Sequence, residues 1–324
     1  MTEMELPEKV PFGAALPAVT ELMDRSLRHS PEPAGGMMKH LAASRGKNFR
    51  AQLLLAAAAD REGFVPRDAL TAAAALEILH LATLVHDDVI DDSAVRRGRQ
   101  SVQRRFGKKP AVICGDYLFC KCFLMTADLS RRYQDRFMTV ARGMTRICMG
   151  ELRQYEHNRD TSLSAAGYLR IIAGKTAALF SLALYAGGVL GGCAEKEIRL
   201  LARLGYYIGV IFQLEDDCMD YRSDPSTAGK NVKKDLSEGV VTLPLIFAIA
   251  KNPEIRGELR GFDLTPEERR AVAAEVCRLG GVDRTLGVAG RYYKKAVGVL
   301  GRLEDPEKRA LLRPILEQVK LRRY

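Results

Sequence analysis

Tryptophan is absent from this chain, and aromatic residues of all kinds make up only 7% of it. The basic residues are scattered rather than interleaved with aromatics, so no common RNA-binding module is present and no nucleic-acid partner is expected. The formal charge of +10 then suits anionic small substrates or a membrane surface. The seven cysteines (Cys114, Cys120, Cys122, Cys148, Cys193, Cys218 and Cys277) form no CxxC pair. They lie mostly in apolar helical stretches and read as reduced core residues of a cytosolic protein. No GxxxxGK[ST] loop occurs, which excludes P-loop nucleotide hydrolysis. Alternating β-branched runs are rare, no Pro/Ser/Gly-rich linker divides the chain, and no period of about 20–50 residues recurs, so sheet proteins and solenoids are excluded. The opening residues show no basic stretch followed by an apolar core; no signal peptide is expected, and the expected location is cytoplasmic.

What is present is alanine and leucine. With 47% hydrophobic residues in 324, the chain can fill a sizeable core, and its composition points to a single all-α domain spanning residues 1–324. Pro66 and Asp68 mark the start of a helix running to an aspartate cluster at Asp87, and Arg96-Arg97-Gly98-Arg99 breaks it. A second helix begins near Pro110. Further helices are expected over 134–156, 164–191 and 195–221, a loop over Ser223–Glu238, and another helix from Thr242-Leu243-Pro244. Pro and Gly breaks divide the remaining third into shorter helices. The uncharged run Thr176–Cys193 reaches the length of a membrane span, roughly 18 residues, but four glycines near its end and close polar neighbours favour a buried core helix.

The strongest local signal is a pair of aspartate clusters, Asp87-Asp88-Val89-Ile90-Asp91 and Asp216-Asp217-Cys218-Met219-Asp220, each of DDxxD form within an apolar helical stretch. Helical spacing puts Asp87 with Asp91, and Asp216 with Asp220, on one face. Two carboxylates about 6 Å apart repel by roughly 2–3 kcal/mol at an effective dielectric near 20. Divalent cations held by hard carboxylate oxygens, with room left for water and phosphate, offset that repulsion, and Mg²⁺ is the usual occupant. Lys47, Arg50, Arg96, Arg97, Lys175 and Lys230 supply cations nearby in sequence. Acidic clusters, basic side chains and apolar helices together describe a site for a diphosphate bridged by metal. His80 would ordinarily be a satisfied core histidine; its place two turns before Asp87 shifts it to substrate binding.

In chain order the motifs are Gly46-Lys47-x-x-Arg50, His80, LVHDDVIDDSAVRRG over 84–98, Gly115-Asp116-Tyr117, Gly150-Glu151 with Gln154, Gly174-Lys175-Thr176, and GVIFQLEDDCMDY over 209–221. Gly229-Lys230, Asp235, Glu238-Gly239 and Thr242-Leu243-Pro244 follow. This series resembles the trans-polyprenyl diphosphate synthases, the head-to-tail prenyltransferases. The resemblance implies an all-α bundle around a deep central cavity with the two aspartate motifs facing across its mouth. It implies three Mg²⁺ ions in the ternary complex, bound by Asp87, Asp91 and Asp216 with Asp88, Asp217 and Asp220 near or in the shell. Arg96, Lys175, Thr176, Gln213 and Lys230 would contact the allylic diphosphate, and of these Arg96, Lys175, Thr176 and Gln213 would act in the chemistry. Lys47, Arg50, His80 and Arg97 would hold isopentenyl diphosphate. Ionisation leaves an allylic cation, so the pocket must exclude water, and Phe212 is a candidate lining residue.

The sequence departs from the family pattern at three places. Ala51 follows Arg50 where proline is usual, Arg45 stands where glycine is common, and Val240 stands where many members carry lysine. Lys233 or Lys234 is the candidate replacement for that lysine. A class I terpene cyclase is disfavoured, because DDCMD does not match the cyclase's second metal motif and the set Lys47, Arg50 and His80 would be superfluous for one prenyl substrate. A non-catalytic subunit would typically lack the aspartates kept here. In the family, bulky aromatics four and five residues before the first aspartate block chain growth. Here those positions are Thr83 and Ala82, with Leu79 eight residues before, so a long product of C30–C40 is expected, with a geranylgeranyl or farnesyl length as the alternative if Leu79 or a facing aromatic closes the tunnel. A homodimer is the family expectation, a heteromer the alternative, with at most transient membrane contact.

Overall fold

The computed structural model describes residues 7–44, 46–222 and 234–320. Among them nearly every element is a helix. The strands are two short antiparallel pairs, Lys9–Pro11 with Phe64–Pro66 and Val95–Arg96 with Arg99–Gln100. The all-α expectation is met. The chain divides into two compact units, and each carries one aspartate motif.

The first unit comprises the described part of Met1–Thr139 with Ala183–Leu201 and Leu303–Leu312. Its central helix is Arg67–Ile90, introduced by Pro66 and carrying Asp68 in its first turn, where an acid complements the helix dipole. It packs against helices Phe12–Arg28, Phe49–Ala58 and, most extensively, Lys108–Arg132. Alanines at 69, 73, 74 and 75 let these helices approach, with Leu70 and Ile78 filling between them. After the motif the basic stretch is a hairpin tip. Arg97 and Gly98 have φ of 51° and 74°, the two positive values that a two-residue turn of the I′ kind requires, and Arg96 pairs with Arg99.

The second unit comprises Val140–Leu182, Ala202–Arg302 and the described part of Arg313–Tyr324. Tyr168, Ile171, Leu214, Leu243, Leu245 and Val276 belong to its core. The helix Gln134–Glu156 has the expected bounds. The helix expected over 164–191 is Ala165–Leu190, interrupted by a π-helical turn at Ala173–Ala177, and the next is Glu195–Arg222. Of the loop expected at Ser223–Glu238, residues 223–233 lie outside the described residues, and Lys234–Glu238 is a short helix rather than loop. Only Leu236 in it is buried, so no apolar period announced it. Thr242 stands at the N-cap of Leu243–Lys251, and Pro266–Arg278 begins with a capping box between Thr265 and Glu268.

Among the described residues two helices, Arg67–Ile90 and Ala165–Leu190, are long and apolar enough to cross a membrane, yet more than half of each one's most apolar window is buried inside the protein. None of the seven cysteines forms a disulfide. Cys114, Cys122 and Cys218 are buried, and burial pushes the Cys114 and Cys122 thiols up to about 12. Cys120, Cys148 and Cys277 are exposed, against the expectation of mostly core positions.

Candidate active site

The first motif closes the helix Arg67–Ile90, with Asp91 at its C-cap. Asp87 is half-buried and Asp91 exposed, whereas Asp88 retains 4% of its accessible surface. Asp88 Oδ1 accepts two hydrogen bonds from Arg96, from Nε at 2.8 Å and Nη2 at 2.6 Å. The middle aspartate is therefore spent on holding an arginine of the hairpin, a charge-assisted contact that fixes the guanidinium plane. Leu79 and Ala82 on the same helix are buried. Thr83 is half-buried and donates to the carbonyl of His80 at 2.8 Å.

Upstream on that helix a cationic group collects around His80. Burial, then the charges of Arg50, Arg97 and Arg96, hold the His80 imidazole well below the usual histidine range, so it is neutral near pH 7. Arg97 donates from Nη1 to the Ser44 carbonyl at 3.0 Å, and its Nη2 would lie 2.6 Å from a Cβ at Gly46. One cleft is lined by Gly46, Asn48, Glu77, His80 and Arg97 among others. Lys47, between Gly46 and Asn48, is exposed. The expected set Lys47, Arg50, His80 and Arg97 therefore lies in one unit, with Arg50, Arg97 and His80 close enough to interact electrostatically.

The second motif lies within Glu195–Arg222. Asp216 and Asp220 are half-buried, and Asp217 retains 1% of its surface. Asp217 accepts from the Tyr168 hydroxyl on one oxygen and from Gln213 Nε2 at 2.9 Å on the other. Gln213 in turn accepts from Thr176 Oγ1 at 2.6 Å. Burial, partly offset by those hydrogen bonds from Gln213 and Tyr168 and reinforced by Asp216 and Asp220, raises the Asp217 carboxyl to about 7. Asp220 accepts the backbone N–H groups of Lys234 and Asp235 at 3.0 and 3.3 Å, capping the short helix. Asp235 is held well above the usual carboxylate range by burial and by Asp220, Asp217 and Asp216.

Lys175 and Thr176 stand on the π-helical turn, an interruption that re-aims side chains and recurs at functional sites. The turn is fixed by close backbone approach: a Cβ at Gly150 would lie 2.1 Å from the Lys175 nitrogen, and one at Gly174 would lie 2.9 Å from the α-carbon of Gly150. Glycine alone permits that crossing. It brings Glu151 to Lys175, Oε2 to Nζ 2.8 Å. Phe212 stacks against Phe180 with ring centroids 5.0 Å apart.

Lys230, Lys233 and Arg45 lie outside the described residues. Lys234 Nζ is 3.2 Å from Glu238, and Val240 donates its N–H to the Asp235 carbonyl. The sequence reading missed Glu77, Tyr168 and the role of Glu151. Glu77 had a signal, being the only carboxylate between Asp68 and Asp87. Tyr168 had none beyond being a hydroxyl in an apolar run. Among the described residues no group of three His, Cys, Asp or Glu side chains is gathered as a metal cage. The paired outer carboxylates nonetheless fit Mg²⁺, which is held by one or two carboxylates while phosphate and water complete its shell.

The profile of the family described as polyprenyl synthetase matches residues 32–277. Heptaprenyl diphosphate synthase component 2 of Geobacillus stearothermophilus is 32% identical over 314 residues, covering 95% of this chain and 96% of that protein. Nonaprenyl diphosphate synthase of Mycobacterium tuberculosis is 32% identical over 311 residues, covering 93% and 91%. The crystal structure of a polyprenyl synthase from Caulobacter crescentus, complexed with calcium and isoprenyl diphosphate, matches with a TM-score of 0.88 and 32% identity over 96% of both chains.

Proposed function

Because the chain belongs to the polyprenyl synthetase family, we propose that it condenses isopentenyl diphosphate head-to-tail onto an allylic diphosphate, giving an all-trans polyprenyl diphosphate of C30–C40. The observation that carries the assignment of roles is the shared division of the two DDxxD motifs: the middle aspartate is buried in hydrogen bonds, and the outer two remain nearer the surface. Asp87, Asp91 and Asp216 are then the metal-facing carboxylates, Asp88 and Asp217 hold Arg96 and Gln213, and Asp220, whose oxygens accept the Lys234 and Asp235 amides, stands beside them. Mg²⁺, three ions in the ternary complex, would neutralise the diphosphate and the charge that builds as it leaves. Arg96 and Lys175, joined by Lys230, bind the allylic diphosphate. Gln213, its carbonyl turned to Thr176 and one N–H to Asp217, keeps its second N–H for a substrate oxygen. Lys47, Arg50 and Arg97 bind the diphosphate of the second substrate, and neutral His80 adds a hydrogen bond without further charge. Fixed donors of this kind stabilise developing charge without reorganising.

Chain growth runs along the helix face of Thr83, Ala82 and Leu79, whose small first two members leave it open. Replacing Ala82 with Phe is expected to shorten the product, read by resolving extracted chains by length; an unchanged length would sink the tunnel assignment. The enzyme works in the cytoplasm as a homodimer, meeting membrane only transiently to pass on its product. Exposed Ile113 (65%) and Leu124 (77%) on Lys108–Arg132 are apolar surface that a second copy would cover. The alternative of a heteromer draws support from the relative named component 2. The test uses the purified chain alone with labelled isopentenyl diphosphate, farnesyl diphosphate and Mg²⁺. A C30–C40 ladder abolished by EDTA supports a self-sufficient long-chain synthase. A C20 end point keeps the chemistry and refutes the length. No product from folded protein favours a partner subunit, or damage from Val240.

A further inference from the structure

We infer that Glu77 is a positioning residue for the isopentenyl diphosphate half of the site, acting through the helix that carries Arg50 and through Arg97. The inference rests on the roles proposed above for Lys47, Arg50, His80 and Arg97. The helix Phe49–Ala58 begins without a cap of its own. Its N-cap residue, Asn48, is left-handed (φ 47°, ψ 45°) and its side chain makes no capping bond. The first amides of a helix need acceptors. They find one outside the helix: Glu77 Oε1 accepts from the Ala51 N–H at 2.8 Å, and the same carboxylate takes the Arg50 N–H.

Glu77 retains only 7% of its surface, in the middle of an alanine- and leucine-rich stretch. Burial raises its carboxyl above the ordinary range, opposed by the charges of Arg50 and Arg97 and by those amides. One carboxylate thus anchors the start of the Arg50 helix and interacts electrostatically with both the Arg50 and the Arg97 guanidinium. The positive end of the helix dipole adds to the same side of the balance. Lys47, three residues before Arg50, hangs from the same helix start, where Gln52 also ties the loop by donating to the Lys47 carbonyl at 2.7 Å. Remove the Glu77 charge and the cations gain net attraction for an anion but lose the group that aligns them. Alignment wins in a fixed site, because misplacement near 1 Å can cost about a hundred-fold.

Glu77→Gln separates these effects, since its amide oxygen keeps an acceptor for the Ala51 N–H while the charge is lost. Calorimetric titration of isopentenyl diphosphate, and separately of farnesyl diphosphate, into the full chain with Mg²⁺ reads the outcome, with thermal melts alongside. The expected result is affinity for isopentenyl diphosphate weakened about ten-fold, affinity for farnesyl diphosphate within about two-fold, and a melting temperature close to the parent. Glu77→Ala, which also removes the acceptor, should lower the melting temperature as well. Unchanged or tighter isopentenyl diphosphate binding by Glu77→Gln, or equal loss for both ligands, overturns the inference. Lys47→Ala and Arg50→Ala distinguish the two levels. If they weaken binding and Glu77→Gln does not, the positioning role alone fails. If neither does, the reading of the site fails with it.

Discussion

The two aspartate motifs share one sequence form and each buries its middle aspartate, yet those middle members meet opposite chemistry. Asp88 is paired with a cation, Arg96, at 2.6 Å. Among the described residues Asp217 is met by neutral donors, Tyr168 and Gln213, with Asp216 and Asp220 beside it. A cation makes charge worth keeping in a buried carboxylate; neutral donors among other acids do not. The same dipeptide therefore gives a charged strut in one unit and a carboxyl that titrates near neutrality in the other.

The sharpest test of that division compares outer with middle positions. Asp87→Asn or Asp216→Asn should lower turnover by about 10³-fold, the order seen when a group that stabilises developing charge is lost. Neither should destabilise the protein, because each relieves like-charge repulsion one turn away. Steady-state rates with thermal melts check both halves, and a stability loss comparable to that of a middle-position change would break the comparison.

Between the middle positions the difference should appear in stability. Asp88→Asn removes the charge from a hydrogen-bonded pair whose arginine is partly solvated, and should cost about 2 kcal/mol in chemical denaturation. Asp217→Asn should cost less than about 1 kcal/mol at pH 7, since the carboxyl there is already half protonated and the amide oxygen still accepts from Gln213 while its N–H faces the Tyr168 hydroxyl, which can turn to accept. Equal losses would mean that the partner's charge does not set the role.

A further difference is a slope against pH. Asp217 sits at about 7 in the folded protein and near its ordinary 3.8 when unfolded. Between those values the folded state binds more protons, so the stability of metal-free protein falls as pH rises from about 4 to about 7, then levels. Asp235, raised in the same direction, adds to the slope. Asp217→Asn should flatten it, as read from denaturation midpoints across that range.

Helix positions were legible because a 3.6-residue apolar period and Pro, Thr and Asp boundaries are local signals: Gln134–Glu156 and Glu195–Arg222 came out nearly as expected. The motifs were legible as residue types in order. What escaped were acceptors supplied by another element. Glu77 capping a helix that starts 28 residues earlier, Tyr168 reaching Asp217 across 49 residues, and Asp220 capping Lys234–Glu238 leave no periodic trace, since one side chain does each. The π-helical turn escaped too, because it arises where Gly150 and Gly174 bring two backbones together.

By itself the sequence determined the all-α class, the family, and which carboxylates and cations are available, since composition, periodicity and ordered motifs are properties of neighbours along the chain. Only the tertiary structure decided which aspartate of each DDxxD turns inward and what it meets there. Helical spacing separates Asp88 from Asp87 and Asp91 by angle, but whether the inward face finds Arg96 or Tyr168 depends on an element brought from elsewhere, and burial then fixes what that contact is worth.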